Sequence, residues 1–212
     1  MALLLAVGLV VVTTSVVVGG PTVRVDDVVK NLTPGQDAGP GALGLLALVV
    51  VDIATPALCV ALVAAFAVAL ALLQRRWAPV LLAAPALALL TGTVLLGKAV
   101  IPRGGPISPE IIGGLGSYPS GHTATALVCA GVVAELVSRL HPRRRRLAWS
   151  LAVAWTLVVA ASLVWLHFHW LSDVVGSMFL GSLLLWLLLR WPLRLGARVA
   201  QPWRDGGPIP GR

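Results

Sequence analysis

Residues 79–100, PVLLAAPALALLTGTVLLGKAV, decide the class of fold, because this stretch is almost wholly apolar and carries a single charge, Lys98. A helix needs ~20 predominantly apolar residues to cross the hydrocarbon core of a bilayer. Of the 212 residues, 58% are apolar and 11% are charged, whereas a soluble domain has about 25% charged residues. The sequence therefore predicts an integral membrane protein and excludes a cytosolic enzyme, a disordered chain and a conventional nucleic-acid-binding protein.

Five further apolar runs accompany this stretch, and we expect an all-α integral membrane bundle of six transmembrane helices. The first run is slightly short, but it has no basic residue ahead of it, which favours an uncleaved span over a signal peptide. The second run is long enough to tilt or to begin with an interfacial segment. The predicted spans are residues 2–18, 43–73, 79–100, 123–138, 147–166 and 173–191.

Arginine clusters between the runs predict the orientation in the membrane. Arg75 and Arg76 separate the second and third runs, and four arginines at 143–146 separate the fourth and fifth. Cytoplasmic loops carry an excess of Lys and Arg, so we expect both termini on the cytoplasmic side. One membrane domain over residues 1–200 and a disordered cytoplasmic tail over 201–212 are predicted. These clusters account for much of the net charge of +8, and nucleic acid is not an expected partner.

Residues 25–32, on the predicted extracytoplasmic side, follow a helical pattern of apolar and charged positions. The apolar positions are Val25, Val28, Val29 and Leu32, and the charged positions on the opposite face are Asp26, Asp27 and Lys30. We expect a short amphipathic helix at the membrane interface. Packing against the rim of the bundle is favoured over a role as a lipid entrance.

Ionisable residues gather at the predicted extracytoplasmic ends of three spans. Lys98 and Arg103 lie at the end of the third span, YPSGH at 118–122 opens the fourth, and HFHWLSD at 167–173 opens the sixth. Ionisable residues at membrane depth are energetically costly and mark functional sites by default. Three segments that converge at one depth therefore predict a site at this boundary.

The segment Pro119–His122 has the composition of a helix start. A helix N-terminus presents unpaired N–H groups that bind anions. Gly121 permits close approach of a ligand to the backbone, the Ser120 hydroxyl is a further donor, and His122 lies beside the anion site. A capped helix start with no ligand is the alternative.

His169 and Asp173 are four residues apart and share one face of a helix. The carboxylate can hold one imidazole nitrogen as N–H and leave the other free as a nucleophile or base. A purely structural pair is one alternative. A zinc site is another, and it needs a third ligand, for which Glu110 and His167 are the candidates.

Lys98 and Arg103 supply positive charge near both histidines. As alternatives, Lys98 extends to the lipid headgroups and Arg103 contacts lipid phosphates. Cations, an anion-binding helix start, two imidazoles and a carboxylate at one depth are typical of phosphoryl transfer.

These segments resemble the type 2 phosphatidic acid phosphatase superfamily, membrane lipid phosphatases related to the vanadium haloperoxidases. The signature of that superfamily is Lys-x6-Arg-Pro, then Pro-Ser-Gly-His, then Ser-Arg-x5-His-x3-Asp. The second part is matched in full by residues 119–122. The other matching residues are Lys98 and Pro106 in the first part, and Ser162, His169 and Asp173 in the third.

The resemblance implies a lipid phosphatase that needs neither a metal nor another cofactor. His169, oriented by Asp173, attacks phosphorus to form a phosphohistidine, and His122 protonates the leaving oxygen and then activates water. The groups implied to hold the phosphoryl oxygens are Lys98, Arg103, Ser120 and the Gly121 N–H. The implied substrate is a phospholipid or polyprenyl phosphate or pyrophosphate at the extracytoplasmic face of a cell membrane. A preference for Arg over Lys is typical of a GC-rich bacterial source.

The chain departs from this signature at two positions, where Gly105 and Leu163 replace arginines. Arg103 is expected to take over part of the first role. Loss of one donor to a transition-state anion typically costs ~10²–10³ in rate. Two alternatives therefore stay open, a degenerate member that binds phospholipid or phosphate with little turnover and a phosphotransferase to an acceptor other than water. A small transporter or structural bundle is disfavoured, because the ionisable residues avoid the midplane where transporter sites lie.

Overall fold

The computed structural model describes residues 1–35, 41–108 and 115–195, and these ranges contain helices and connecting segments but no strand. The α-helices in chain order are α1 (Ala2–Val17), α2 (Pro21–Leu32), α3 (Ala42–Ile53), α4 (Pro56–Gln74), α5 (Ala78–Val100), α6 (Gly121–Leu140), α7 (Arg145–Trp165) and α8 (Leu171–Leu195). A 3₁₀ turn, Pro142–Arg144, precedes α7. The predicted all-α fold is confirmed. The predicted tail, 201–212, lies outside the described residues.

Five of the described helices are long and apolar enough to cross a membrane: α4, α5, α6, α7 with its preceding turn, and α8. There are six if α1 and α2, which meet at 78°, are counted as one bent span. The last four predicted spans coincide with α5 to α8 to within a few residues. The chain is a multi-pass membrane protein, as its composition predicted.

The second predicted run, 43–73, consists of two helices instead of one continuous span. Thr55 has φ −50° and ψ 125°, outside the helical region, and Pro56 opens α4. Proline disfavours helical geometry in the residue before it and is well suited to the first helical position. α3 therefore ends at Ile53 and packs against α7.

α6 lies at the centre of the bundle and contacts α4, α5, α7 and α8. Ala124, Ala126 and Val128 on this helix are fully buried. A Cβ built at Gly131 would lie 2.4 Å from Leu185 Cδ1, so the missing side chain lets α8 approach closely. Small residues at helix contacts are typical of membrane bundles.

The connections bring three helix ends together. α5 ends where the loop through Gly116 returns, and the Gly116 N–H donates to the Lys98 carbonyl at 2.8 Å. The Ser120 N–H, just before α6, donates to the Asp173 carbonyl in the first turn of α8 at 3.4 Å. The exposed arginines at 143–146 follow the opposite end of α6. The three segments singled out in the sequence thus meet at one end of the bundle.

Candidate active site

Ser120 builds the start of α6. Its Oγ accepts from the Thr123 N–H at 3.3 Å and from Thr123 Oγ1 at 3.2 Å, which caps the helix where the first N–H groups lack intrahelical partners. Ser120 is fully buried. Its side chain therefore shapes the predicted anion-binding helix start, and its backbone N–H joins that start to α8 through Asp173.

Lys98 lies beside this helix start. The Lys98 Cε atom is 3.9 Å from the position that a Cβ on Gly121 would occupy. The ammonium donates to the carbonyls of Gly116 at 2.9 Å and Ser117 at 3.3 Å. Lys98 therefore holds the returning loop and also places a positive charge next to the backbone of Gly121.

His122 occupies the second position of α6 and is partly buried. Among the described residues, its ring has no hydrogen-bond partner. His169, Lys98 and Asp52 all lie within electrostatic range of this ring. The structure thus places His122 in the same region as the second histidine and the lysine, and their direct approach to one ligand stays a prediction.

His169 pairs with Asp173 as the four-residue spacing predicted. His169 Nδ1 lies 3.3 Å from Asp173 Oδ2, so the carboxylate faces Nδ1 and leaves Nε2 for a ligand. The same oxygen accepts from the Trp170 N–H at 3.3 Å, one half of a capping box at the start of α8. Asp173 is fully buried and His169 is largely buried. The imidazole is held by a carboxylate that is itself fixed by the helix start.

Arg103 pairs with two carboxylates in the structure. Its Nη1 donates to Asp173 Oδ1 at 2.5 Å and to Ser172 Oγ at 2.7 Å, and its Nη2 donates to Asp26 Oδ2 at 2.6 Å. Its side chain is 13% exposed. Arg103 is thus held beside Asp173 by charged partners on α2 and α8.

The amphipathic helix predicted at 25–32 is α2, and it packs against α1 and α8. Two of its charged residues turn toward the bundle, because Asp26 is buried with Arg103 and Ser172 as partners and Lys30 donates to the Pro106 carbonyl, whereas Asp27 is exposed. On the apolar face, Val25 is instead 50% exposed and Val28 is 57% exposed. In a bilayer such apolar positions are solvated by lipid, so this orientation satisfies both faces.

Two cations lie over the ring of Trp170, the residue before α8. Its Nε1 donates to the Gly104 carbonyl at 2.9 Å. Lys30 Nζ and Arg103 Cζ lie 5.3 Å and 5.4 Å from the centre of its ring, within the range of a cation–π contact. Lys30 also donates to the Pro106 carbonyl at 2.8 Å, so α2 is tied to the loop that carries Arg103.

Tyr118 anchors the site to α1. Its hydroxyl lies 2.6 Å from Thr13 Oγ1, and burial raises the pKa of the phenol above its ordinary value. A Cβ built at Gly176 would lie 2.3 Å from the Tyr118 hydroxyl. The glycine on α8 therefore makes room for the tyrosine, which fills the space between α1 and α8.

A cleft of about 390 Å³ opens beside His169. Its polar lining includes Arg103, Ser117 and His167, and its apolar lining includes Phe168. A cleft of this size accommodates a phosphate with part of the group attached to it. Within the described ranges, no three His, Cys, Asp or Glu side chains are grouped to hold a metal ion. Glu110, one of the candidate zinc ligands, lies outside those ranges.

The sequence model of the PAP2 superfamily, a protein-family model, matches residues 57–197 of the chain. The chain belongs to the PAP2 superfamily. The crystal structure of the first transmembrane PAP2-type phosphatidylglycerolphosphate phosphatase from Bacillus subtilis is similar to this PAP2 chain, with a TM-score of 0.75 and 19% sequence identity. The alignment covers 92% of this chain and 96% of that chain, which shows a shared fold. No curated protein sequence matches the chain.

The two departures from the PAP2 signature have different surroundings. Leu163 is fully buried in an apolar cluster with Ala47, Val51 and Ala126, at the contact of α3, α6 and α7. Gly105 lies on the wall of the cleft, and a Cβ built there would meet only the Ser108 carbonyl, at 3.6 Å. Apolar side chains thus fill the space around Leu163, whereas the space beside Gly105 is open.

Asp26, Lys30 and Trp170 were not among the candidate site residues of this PAP2 chain. Asp26 and Lys30 belong to a helix whose charged face has the pattern of a surface helix. The available signal was the low charge of the chain, because a carboxylate that is buried in so apolar a protein requires a partner. That signal does not identify the partner, which is 77 positions away for Asp26 and Arg103.

Proposed function

We propose that this PAP2 protein is a lipid phosphatase that hydrolyses a phosphomonoester or pyrophosphate of a phospholipid or polyprenyl lipid. The reaction proceeds in two steps through a phosphohistidine at His169. The observation that carries the proposal is the His169–Asp173 pair, which holds Nδ1 and leaves Nε2 free, together with a second imidazole, His122, in electrostatic range.

In the first step, His169 Nε2 forms a bond to phosphorus while the bond to the leaving oxygen breaks. Asp173 stabilises the imidazolium that develops. His122 supplies a proton to the leaving oxygen. In the second step His122 accepts a proton from water, which attacks phosphorus and releases His169. Two imidazoles thus act as nucleophile and as acid–base group.

Four groups hold the phosphoryl oxygens in this proposal. The Gly121 N–H and the Ser120 hydroxyl donate at the start of α6, where the helix dipole favours an anion. Lys98 adds a charge beside Gly121. Arg103 has five N–H donors, and its three bonds to protein groups leave two for a phosphate. These donors stabilise charge that develops at phosphorus in the transition state.

The site is proposed to lie at the extracytoplasmic face of a cell membrane. The arginines at 75–76 and 143–146 lie at the connections α4–α5 and α6–α7, opposite the helix ends that carry the site. An excess of arginine marks the cytoplasmic side. A lipid-headgroup probe that cannot cross the membrane, added outside sealed vesicles in which the protein has a known orientation, tests which face carries the site.

The experiment that tests the function is phosphate release from lipid phosphates by the detergent-purified chain in the presence of EDTA. The panel contains phosphatidic acid, phosphatidylglycerol phosphate and polyprenyl phosphates and pyrophosphates. We expect at least one to be hydrolysed, and His169→Ala to abolish the hydrolysis. The matched control is His141→Ala, which removes an exposed imidazole at the opposite end of α6.

Two results contradict this function. Hydrolysis that survives His169→Ala excludes the nucleophile, and hydrolysis that EDTA abolishes excludes the metal-independent chemistry. Substrate labelled with ³²P provides a direct check, since a phosphohistidine is stable to alkali and labile to acid. The label should be absent from His169→Ala and present in His141→Ala.

A second candidate function is binding of a phosphorylated lipid with little turnover. The observation in its favour is the apolar packing around Leu163, which leaves no place for the arginine of the family signature. Tight binding of a lipid phosphate with no release of inorganic phosphate supports this function. Analysis of the labelled product separates it from transfer to an acceptor other than water.

A further inference from the structure

The carboxylate of Asp26 reaches from α2 into the first turn of α8. Asp26 Oδ1 accepts from the Ser172 N–H at 2.8 Å, and Oδ2 accepts from Ser172 Oγ at 2.5 Å. The N–H groups in the first turn of a helix have no intrahelical partner, and the helix dipole favours a negative charge there. Asp26 therefore caps α8 from a different helix.

The same carboxylate binds Arg103. Asp26 Oδ2 accepts from Arg103 Nη2 at 2.6 Å, and Asp173 Oδ1 accepts from Arg103 Nη1 at 2.5 Å. The other oxygen of Asp173 faces His169. A continuous series of charged contacts thus runs from Asp26 through Arg103 and Asp173 to the imidazole.

Burial explains why this series constrains geometry. Asp26 is 2% exposed and Asp173 is fully buried, and a buried carboxylate is costly unless charged or polar donors satisfy it. The guanidinium is planar with donors in fixed directions. Held on two sides, Arg103 has one orientation available, and so does the Asp173 carboxyl group that orients His169.

We propose that Asp26 is a positioning residue of the active site, which holds Arg103 and the start of α8 so that Asp173 and His169 keep their reactive geometry. The inference rests on the phosphatase function proposed above. It extends the site to α2, which lies outside the matched residues 57–197.

The test compares Asp26→Asn with Asp27→Asn. Asparagine keeps the volume and one acceptor for Ser172 but cannot accept from Arg103 with its amide nitrogen. Asp27 is exposed on the same helix, so its variant removes the same charge without touching the series. We expect Asp26→Asn to lower kcat by about 10²-fold with a small effect on KM, the size of effect that misplacement of reacting groups produces. Asp27→Asn should keep both constants.

Ser172→Ala is the second variant, since it removes the hydroxyl that bonds both Asp26 and Arg103. We expect a smaller loss of kcat than in Asp26→Asn, together with a lower Tm because two buried hydrogen bonds are removed. The variant that combines Asp26→Asn with Ser172→Ala should be no slower than Asp26→Asn alone, because the effects of substitutions within one network are not additive. If Asp26→Asn does not fold, Ser172→Ala decides: reduced kcat supports the proposal, and unchanged kcat overturns it.

Orthovanadate binding provides a measurement that does not depend on turnover. We expect Asp26→Asn to weaken the affinity of the detergent-solubilised protein for orthovanadate, while Asp27→Asn leaves it unchanged. If no lipid phosphate is hydrolysed, the proposed function fails and this difference in affinity still supports the role of Asp26. The positioning role of Asp26 is overturned if Asp26→Asn and Asp27→Asn bind vanadate with equal affinity, or if the protein does not bind vanadate. It is also overturned if Asp26→Asn turns over faster, because Asp26 then competes with phosphate for Arg103.

Discussion

Gly105→Arg is expected to raise the efficiency of phosphate release, because it adds a donor on the wall of the cleft where the PAP2 signature has an arginine. The backbone accommodates the change. Gly105 has no left-handed φ, its N–H donates to the Ser108 carbonyl at 2.8 Å, and a Cβ would meet that carbonyl at an ordinary distance of 3.6 Å.

The magnitude follows from two opposing contributions. A hydrogen bond to a charged group contributes about 1.5–3 kcal/mol net. Ordering an arginine side chain costs up to about 1.5–2 kcal/mol, and most of that cost applies at Gly105 because the cleft is open. About 1 kcal/mol remains, which corresponds to about a fivefold increase in kcat/KM at 1.4 kcal/mol per factor of ten.

The assay is the initial rate of phosphate release from the best lipid phosphate, measured for the unaltered chain, Gly105→Arg and Gly105→Met in one detergent. Methionine adds an unbranched side chain without charge, so it controls for filling the cleft. The reasoning is refuted if kcat/KM of Gly105→Arg stays level or falls while Tm is unchanged. It is also refuted if Gly105→Met gives the same increase.

Further predictions concern the packing around the site, measured as Tm in detergent. Leu163→Arg should lower Tm strongly without restoring activity, since it buries an unpaired charge in an apolar cluster; an active and stable variant contradicts this. Gly176→Ala should lower both Tm and activity because its Cβ would meet Tyr118. Gly92→Ala is the matched control, since position 92 on α5 faces open space. It should keep the activity, and it should keep the stability or raise it by about 0.5–1 kcal/mol. Tyr118→Phe should cost about 1 kcal/mol of stability by removing the bond to Thr13, and an unchanged Tm counts against that anchor.

Local properties of the sequence were sufficient for helices α5 to α8 and for the pairing of His169 with Asp173. The length and hydropathy of residues 79–100 predict α5 without knowledge of any other residue, because a bilayer imposes one thickness on every span. The four-residue spacing of His169 and Asp173 predicts their pairing, because helix geometry places them on one face. The meeting of the helix ends follows from an alternating path through the membrane.

Contacts between distant parts of the chain needed the tertiary structure. Helical periodicity separates the charged face of α2 from its apolar face, but it does not say whether Asp26 faces water or a buried guanidinium. The outcome depends on Arg103 and Ser172, 77 and 146 positions away. Position 163 is similar, since its apolar surroundings include residues of α3 and α6, which dock against α7. The free energy of a buried charge depends on the groups packed around it, so the sequence determined which residues are present at the site, and the packing of α2 and α3 decided which of them bind each other.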